Sequence, residues 1–319
     1  MAVYTDVSDD DIADLVARYD IGEPLSFRGI AEGVENTNYI LHTDRAQFIL
    51  TLYEKRVDPA DLPFFMDLMG HLNGNGIACP APVADREGKV LQTVADRPAA
   101  VFTFLEGLWV RRPHVRHCAR LGDVLGRFHT VSRTFPGKRI NALSIAGWAK
   151  LVDDCVGRAD EVVAGLSGEI EAELDHLSRN WPDGLPIGVI HADLFPDNVF
   201  FIGDRVSGLI DFYFACTDML AYDVAICLNA WCFEQDQSFN VTKGRALVEA
   251  YRAARPFEAG EFEALPVLSR GAAFRFLLTR LYDWVNTPAG ALVKPKNPLE
   301  YWQKLRFHRT MASPKDYGL

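Results

Sequence analysis

Residues 189–200 read Val-Ile-His-Ala-Asp-Leu-Phe-Pro-Asp-Asn-Val-Phe, and no other part of the chain constrains the architecture as strongly. The two ends are short apolar runs of the kind found in buried strands, and the polar residues lie between them. Pro196 favours a turn in the middle. The pattern predicts a polar loop between two short strands, with His191, Asp193 and Asn198 spaced as H-x-D-x-x-x-x-N.

A further acidic residue follows this loop at the end of another predicted strand. Asp211 lies 13 residues after Asn198, in the run Leu-Ile-Asp-Phe. The combined spacing is that of a phosphoryl-transfer loop and its metal-binding acid. Asp193 supplies a carboxylate beside an acceptor hydroxyl, and Asn198 and Asp211 supply oxygen ligands for Mg²⁺. The sequence therefore predicts transfer of a phosphoryl group from ATP to an alcohol.

A structural interpretation of the same residues exists for each position. Asp and Asn are common in turns and caps, so Asp193, Asn198 and Asp211 could serve the backbone alone. His191 could be a buried histidine, and we expect it to brace the loop rather than to transfer a proton. The flanking strands, the downstream acid and a preceding β-rich segment agree on the chemical interpretation, which we therefore prefer.

The composition narrows the class of partner. The chain has 319 residues, 33 basic and 43 acidic, which gives a net charge of −10 and argues against nucleic acid or an anionic membrane as partner. No apolar run is long enough to span a membrane. Six cysteines without a C-x-x-C pair fit a reducing compartment, so a cytoplasmic protein is expected, as a monomer or weak homodimer.

The order of predicted elements indicates an α+β protein with two lobes. Three antiparallel strands are predicted over residues 24–53, followed by a helix at 62–72 and two strands at 90–93 and 99–104. The rest is mainly helical, with helices predicted at about 115–131, 144–180, 218–233, 240–254, 258–285 and 298–308. We place the boundary after Leu105, with an ATP-binding lobe at 1–105 and a catalytic and substrate lobe at 106–319.

Several motifs carry a family resemblance. They lie at residues 32–39 (EGVENTNY), 48–54 (FILTLYE), 121–129 (L-G-x-x-L-G-x-x-H), 189–200, 211–216, 222–225 and 296–301 (KNPLEY). With these motifs the chain resembles the aminoglycoside-phosphotransferase-like small-molecule kinases, and within that group the bacterial homoserine kinases. The resemblance implies a bilobed protein-kinase-like fold. It also implies ATP-dependent phosphorylation of L-homoserine to O-phospho-L-homoserine in threonine biosynthesis.

The resemblance also assigns roles to residues. It implies that Asp193 is the catalytic base, that Asn198 and Asp211 bind Mg²⁺, and that Asp223 and His191 support the loop. The turn that contains Gly33, Asn36 and Asn38 would cover the ATP phosphates, and backbone at Phe102 and Phe104 would face adenine. Small and amide residues in such a turn let backbone N–H groups approach phosphate oxygens.

One departure from the family pattern concerns the third strand. Thr51 stands where related kinases carry a lysine that contacts the ATP phosphates. Lys55 and Arg56, just beyond the strand, are candidate replacements, with a solvated surface pair as the alternative. The missing lysine also motivates a second class of function, a nucleotide-binding pseudokinase, which the retained Asp193, Asn198 and Asp211 oppose.

The acceptor is the least constrained part of the prediction. Homoserine carries both an ammonium and a carboxylate, so its pocket needs an anion and a cation. Arg275 and Asp283, on one predicted helix, are candidates, with an ion pair inside the lobe as the alternative. Another small amino or sugar alcohol, of the choline, methylthioribose or hydroxylysine type, stays open as acceptor.

Overall fold

The computed structural model describes residues 5–30, 36–54, 57–258, 260–288 and 294–319. The chain divides into two compact units. The first comprises Met1–Leu108, Phe135–Gly137 and Ser207–Tyr213, and the second comprises Trp109–Thr134, Lys138–Val206 and Phe214–Leu319. The antiparallel sheet of the first unit and the helices of the second confirm the α+β class. No helix in the described ranges combines the length and apolarity that a membrane span requires.

A five-stranded antiparallel sheet organises the first unit, in the order β1-β2-β3-β5-β4. Its strands are β1 (Pro24–Gly29), β2 (Thr37–Thr43), β3 (Gln47–Leu52), β4 (Leu91–Val94) and β5 (Arg97–Thr103). Alternation of buried and half-buried residues along β2 shows that one face packs on the core. The two-residue turn between β4 and β5, Ala95-Asp96, has positive φ at both positions, as a tight hairpin requires.

Two helices accompany this sheet. They are α1 (Asp9–Val16) and α2 (Leu62–Gly74). Ser8 begins α1 with a capping box, in which its side chain accepts from the Asp11 backbone and the Asp11 carboxylate accepts from the Ser8 backbone. The apolar residues of α1 join those of the sheet in one buried cluster, which includes Ile12, Leu15, Leu41, Leu50 and Val101. Helix α1 thus shares one apolar core with β2, β3 and β5.

In the second unit, the described residues form seven α-helices with short strands between them. The helices are α3 (Val115–Ser132), α4 (Ile145–Cys155), α5 (Leu166–Asn180), α6 (Leu220–Trp231), α7 (Val241–Ala254), α8 (Leu265–Asn286) and α9 (Leu299–His308). Strands β7 (Ile187–Ile190) and β10 (Cys216–Met219) pair antiparallel, with Ile190 opposite Cys216. The short strand β8 (Val199–Ile202) also lies in this unit, whereas β6 (Leu108–Trp109) and β9 (Arg205–Leu209) each contain residues of both units. The predicted loop thus begins directly after β7.

Helices α3 and α7 approach unusually closely at two glycines of α3. A Cβ at Gly122 would lie 2.1 Å from the carbonyl oxygen of Leu247, and one at Gly126 would lie 2.9 Å from that of Tyr251. Gly122, Gly126 and His129 are spaced i, i+4 and i+7, so they share one face of α3. This explains the L-G-x-x-L-G-x-x-H motif: the glycines admit the backbone of α7, and His129 meets α7 one turn further on.

Three helix boundaries differ from the sequence prediction, each for a local reason. The predicted helix at 144–180 is interrupted because Val156–Glu161 forms a 3-10 turn and Gly165 has a φ of 84°. The helix predicted from residue 258 begins only at Leu265, where Pro266 is accepted in the first turn. The helix predicted from residue 218 begins at Leu220 because the preceding residues pair with β7 as β10.

Candidate active site

The loop of residues 191–198, here called the 191–198 loop, is fixed first by Asp223. The fully buried carboxylate of Asp223, on α6, accepts from the backbone N–H of His191 at 2.8 Å and from that of Ala192 at 3.0 Å. One oxygen serves each amide. The bond to Ala192 matters because this residue has a φ of 63°, a left-handed conformation that costs energy for a residue other than glycine.

Two further side chains hold the loop, one from α8 and one from the end of α6. Arg275 of α8 donates from Nη1 to the carbonyl oxygen of Ala192 at 2.6 Å, and Trp231 of α6 donates from Nε1 to that of Leu194 at 2.8 Å. Both side chains are buried, and the guanidinium of Arg275 lies 4.7 Å from the ring centroid of Phe276. The backbone on either side of Asp193 is therefore bonded to rigid helices.

Asp193 and Asn198 meet across this loop. The side-chain nitrogen of Asn198 donates to the carbonyl oxygen of Asp193 at 2.8 Å and to its Oδ2 at 3.2 Å. The N–H of Asp193 also points to Nδ1 of His191, at 3.3 Å. Because the nitrogen of Asn198 is committed to Asp193, its Oδ1 is the atom that suits a hard cation such as Mg²⁺.

The buried residues Asp223 and His129, which support the 191–198 loop, have shifted pKa values that determine their charge. Burial acts to raise the pKa of Asp223, but the hydrogen bond from His129 Nε2 at 3.2 Å and those from the loop backbone outweigh it, so this pKa lies below its usual value. Burial lowers the pKa of His129 despite the neighbouring carboxylate. Asp223 is consequently ionised and His129 neutral at neutral pH.

Asp211 lies in the first unit, two residues after the end of β9. It has a φ of 65°, so both Asp211 and Ala192 hold the left-handed conformation. Such conformations persist where the surroundings impose them and are frequent at functional sites. The carboxylate of Asp211 is an oxygen donor of the kind that Mg²⁺ prefers.

In the first unit, Thr51 stands at the position where related kinases carry a lysine, and its hydroxyl has a specific hydrogen-bond partner. Thr51 lies opposite Asn38 in the pairing of β3 with β2, and its hydroxyl donates to Asn38 Oδ1 at 2.7 Å. Asn36 Oδ1 accepts from the N–H of Glu54 at 3.3 Å. The two asparagines predicted to border the ATP phosphates are thus held by bonds to Thr51 of β3 and to Glu54, two residues beyond the strand.

Of the other residues predicted to contact ATP, some lie in the described part of the chain and some do not. Phe102 is buried and lies opposite Ile49 in the sheet, whereas Phe104 is partly exposed just past the end of β5. The N–H of Thr103 already donates to Ala81. Gly33, Lys55 and Arg56 lie outside the described residues.

The two predicted acceptor residues occupy different positions on α8. Arg275 is 2% exposed and is directed to Ala192, whereas Asp283 lies eight residues on, about 12 Å along the helix axis. Lys296 was not among the site residues predicted from the sequence. Its ammonium lies 5.5 Å from the ring centroid of Phe195, two residues after Asp193. The KNPLEY motif contained this lysine, but nothing local indicated that it lies at the loop.

Comparison with known proteins agrees with these features. A model described as "Phosphotransferase enzyme family" matches residues 26–257. The homoserine kinase of Rhodopseudomonas palustris is 62% identical over 320 residues, which cover 100% of this chain and 98% of the relative. That of a Bradyrhizobium species is 62% identical over 319 residues, with 100% and 98% covered.

A solved structure is similar in fold. An amicoumacin kinase in complex with AMP-PNP, Ca²⁺ and Ami superposes with a TM-score of 0.71 and 16% identity, over 98% of this chain and 96% of the other. At that identity the likeness concerns the fold alone. It confirms the kinase-like architecture expected from the sequence.

Proposed function

The chain belongs to the phosphotransferase enzyme family and, within it, to the homoserine kinases, and we propose that it transfers the γ-phosphoryl group of ATP to the hydroxyl of L-homoserine. The product is O-phospho-L-homoserine, an intermediate of threonine biosynthesis. The contact between Asn198 and Asp193, on a loop bonded to three buried side chains, carries the assignment of phosphoryl transfer. The full-length identity to homoserine kinases carries the assignment of the acceptor.

Asp193 acts on the acceptor hydroxyl. The hydroxyl oxygen forms a bond to the γ-phosphorus, the bond from that phosphorus to the ADP oxygen breaks, and the hydroxyl proton passes to the Asp193 carboxylate. The amide of Asn198 orients this carboxylate, and Asp223, Trp231 and Arg275 keep the loop from moving. Positioning of this kind supplies much of the rate enhancement in phosphoryl transfer.

ATP is the phosphoryl donor, and we propose Mg²⁺ as its metal ion, with the Asn198 carbonyl and the Asp211 carboxylate as ligands. The ion, when bound, neutralises charge on the phosphate oxygens. We assign the turn with Gly33, Asn36 and Asn38 to the phosphates and backbone near Phe102 and Phe104 to adenine. These assignments rest on the family pattern and on the ordered amides of Asn36 and Asn38.

The missing lysine has two proposed substitutes. Lys55 and Arg56 lie three and four residues beyond the end of β3 and keep this role as a sequence-based proposal. Thr51 itself is a neutral donor already bonded to Asn38, so it does not replace a cation. A cytoplasmic location and a monomeric or weakly dimeric state stay predictions from the sequence.

Acceptor recognition needs a cation close to the base. Arg275 is committed to the loop and buried, so we favour Lys296 for the carboxylate of the amino acid. Lys296 is exposed at the ring of Phe195 and makes no ion pair with a described residue. The earlier candidate Asp283 retains its place as a proposed partner of the ammonium.

An acceptor panel tests the proposed function directly. The purified protein is incubated with ATP, Mg²⁺ and either L-homoserine, choline or methylthioribose, and ADP release is followed together with the phosphorylated product. The expected result is the highest kcat/KM for L-homoserine. Faster turnover of choline or methylthioribose would reassign the acceptor, and ATP binding without transfer to any acceptor would support a pseudokinase.

A further inference from the structure

We propose that Tyr251 and Arg255, at the far side of α7 and just beyond it, are positioning residues that hold the 191–198 loop through His129 and Asp223. The proposal rests on the function proposed above, because it concerns the loop that carries Asp193. None of these residues needs to touch a substrate. Their effect on the reaction is transmitted by buried hydrogen bonds.

The chain of contacts is continuous and buried. Arg255 Nη1 donates to the hydroxyl of Tyr251 at 2.9 Å, that hydroxyl lies 2.9 Å from His129 Nδ1, and His129 Nε2 lies 3.2 Å from Asp223 Oδ2. The same Asp223 oxygen accepts from the N–H of His191. All four side chains are at most 5% exposed, so water does not compete for these bonds.

The donor and the acceptor of each of these hydrogen bonds can be assigned from the residues at the two ends of the chain of contacts, Arg255 and Asp223. A guanidinium can only donate, so the oxygen of Tyr251 accepts from Arg255 and its own proton is directed to Nδ1 of His129. Neutral His129 then carries its proton on Nε2, which donates to the carboxylate of Asp223. Arg255 thereby selects the histidine tautomer that Asp223 requires, although it lies two residues away in the chain of contacts.

The distal end of this chain is anchored. Arg255 Nη1 also contacts both carboxylate oxygens of Glu261, at 3.1 Å and 3.0 Å, and Glu261 is fully buried. Glu261 Oε2 accepts in addition from the N–H of Glu258 at 2.8 Å. The guanidinium is therefore fixed in place, and it can impose an orientation on Tyr251 rather than follow it.

The close approach of α3 and α7 serves the same contact. Gly122 and Gly126 allow the backbone of α7 to lie against α3, which brings His129 to the hydroxyl of Tyr251. A larger residue at either glycine would separate the two helices by more than a hydrogen bond tolerates. Gly122 and Gly126 take no part in the reaction chemistry. On this proposal they are needed because they allow the contact between His129 and Tyr251 that positions the loop.

Removal of one hydroxyl tests the proposal, and the chain provides a matched control. Tyr251→Phe deletes the donor to His129. Tyr317→Phe deletes an equivalent donor, because the buried hydroxyl of Tyr317 lies 2.8 Å from Nδ1 of His308, whose Nε2 pairs with Asn229 and not with the loop. Both variants lose one buried hydrogen bond from a tyrosine to a histidine, and Tyr251→Phe also loses the bond donated by Arg255, so its Tm should fall further.

Only Tyr251→Phe should affect the loop. We expect its kcat to fall about tenfold, with the KM values for ATP and homoserine unchanged, because a small displacement of a reacting group is costly. Tyr317→Phe should keep the parent kcat. Equal kcat values in the two variants, or a change confined to KM, would overturn the proposal. Arg255→Lys, which keeps the charge and a donor, should retain more kcat than Arg255→Met.

Hydrogen exchange supplies a readout that does not depend on turnover. The amides of His191 and Ala192 should exchange faster in Tyr251→Phe than in the parent protein or in Tyr317→Phe. Unchanged exchange at both amides would contradict the proposal even if activity fell. If the parent protein fails to phosphorylate homoserine while exchange responds as expected, the proposed function fails and the positioning role stands.

Discussion

Arg275 donates a hydrogen bond of 2.6 Å to the carbonyl oxygen of Ala192, and Ala192 is the left-handed residue directly before Asp193. A buried charge on α8 is therefore directed to the strained peptide of the loop. The guanidinium also lies against the rings of Phe276 and Phe214, at 4.7 Å and 5.7 Å. This arrangement resists rotation of the peptide and so fixes the direction in which Asp193 leaves the backbone.

Arg275→Met should lower both stability and turnover. The variant leaves the carbonyl of Ala192 without its charged donor, which costs about 1.5–3 kcal/mol. We expect kcat to fall at least about tenfold because the loop can then relax. Denaturant unfolding and ADP release measure the two effects. Arg245→Met, which removes an exposed arginine bonded to the carbonyl of Gly318, is the control and should keep kcat.

Asp193→Asn tests the base with almost no change in shape. The amide cannot accept the hydroxyl proton, so kcat should fall about 10²- to 10⁴-fold. Binding of ATP, measured by calorimetry, should be retained. The control is Asp197→Asn on the same loop, an exposed residue in the turn Pro196–Asn198, which should change kcat little. Parent-level activity in Asp193→Asn would remove Asp193 from the mechanism.

Lys296→Met should weaken binding of homoserine selectively. An ammonium that meets the substrate carboxylate lowers the KM for homoserine but contributes nothing for 3-aminopropan-1-ol, which lacks that carboxylate. We expect the preference for homoserine over this analogue to shrink about tenfold or more in the variant. Lys294→Met, at an exposed lysine two residues away, is the control. A preference equal to that of the parent would assign the carboxylate to another cation.

His308 gives a prediction for the pH dependence of stability. Burial, with Lys304 and Arg270 nearby, lowers the pKa of His308 to about 3 from its usual 6.5. Below pH 6.5 the unfolded chain takes up a proton that the folded one does not, so stability falls as the pH drops from about 6.5 towards 3. His308→Gln lacks this contribution.

The comparison uses urea unfolding at pH 7 and pH 5. The parent protein should lose about 2 kcal/mol more than His308→Gln between these two values, since each unit of pKa difference corresponds to about 1.4 kcal/mol. Other titrating groups, including His129, are common to both proteins and cancel. Parallel losses in the two proteins would show that His308 titrates normally.

Gly122→Ala tests the packing of α3 on α7. Its Cβ would lie 2.1 Å from the carbonyl oxygen of Leu247, which cannot yield without a shift of the helix, so a loss of about 1–3 kcal/mol is expected. Gly168→Ala in α5 meets nothing within 4 Å and should be neutral or stabilising. Thermal unfolding of both variants distinguishes a packing requirement from helix propensity.

The parts of the fold that local pattern determines were predictable. Short apolar runs bounded by turn residues identified β2 and β3, and the 191–198 loop was recognised from residue types at fixed spacing. The interruption near Gly165 was missed because a helical apolar period continues across it. Strand β10 was missed because it depends on pairing with β7, a partner distant in sequence.

The roles of Arg275 and Lys296 show a different limit. The spacing of polar residues on a helix identifies which of them share a face, but not which loop that face meets. Arg275 was therefore a plausible substrate ligand in the sequence, whereas its contact is with the backbone of Ala192. Tyr251 and Arg255 carried no motif at all, since the contact that links them to the loop, from Tyr251 to His129, spans more than 100 residues of chain.

The first unit is assembled from three separate segments of the chain, and this has a consequence for its synthesis. Residues 207–213 belong to this unit, in which Leu209 donates to Ala78 and the hydroxyl of Tyr213 lies 3.2 Å from that of Tyr53. A ribosome must therefore translate about two thirds of the message before the N-terminal unit has all its parts. A fragment that ends at residue 108 would emerge incomplete, so this boundary is a poor place to cut the gene.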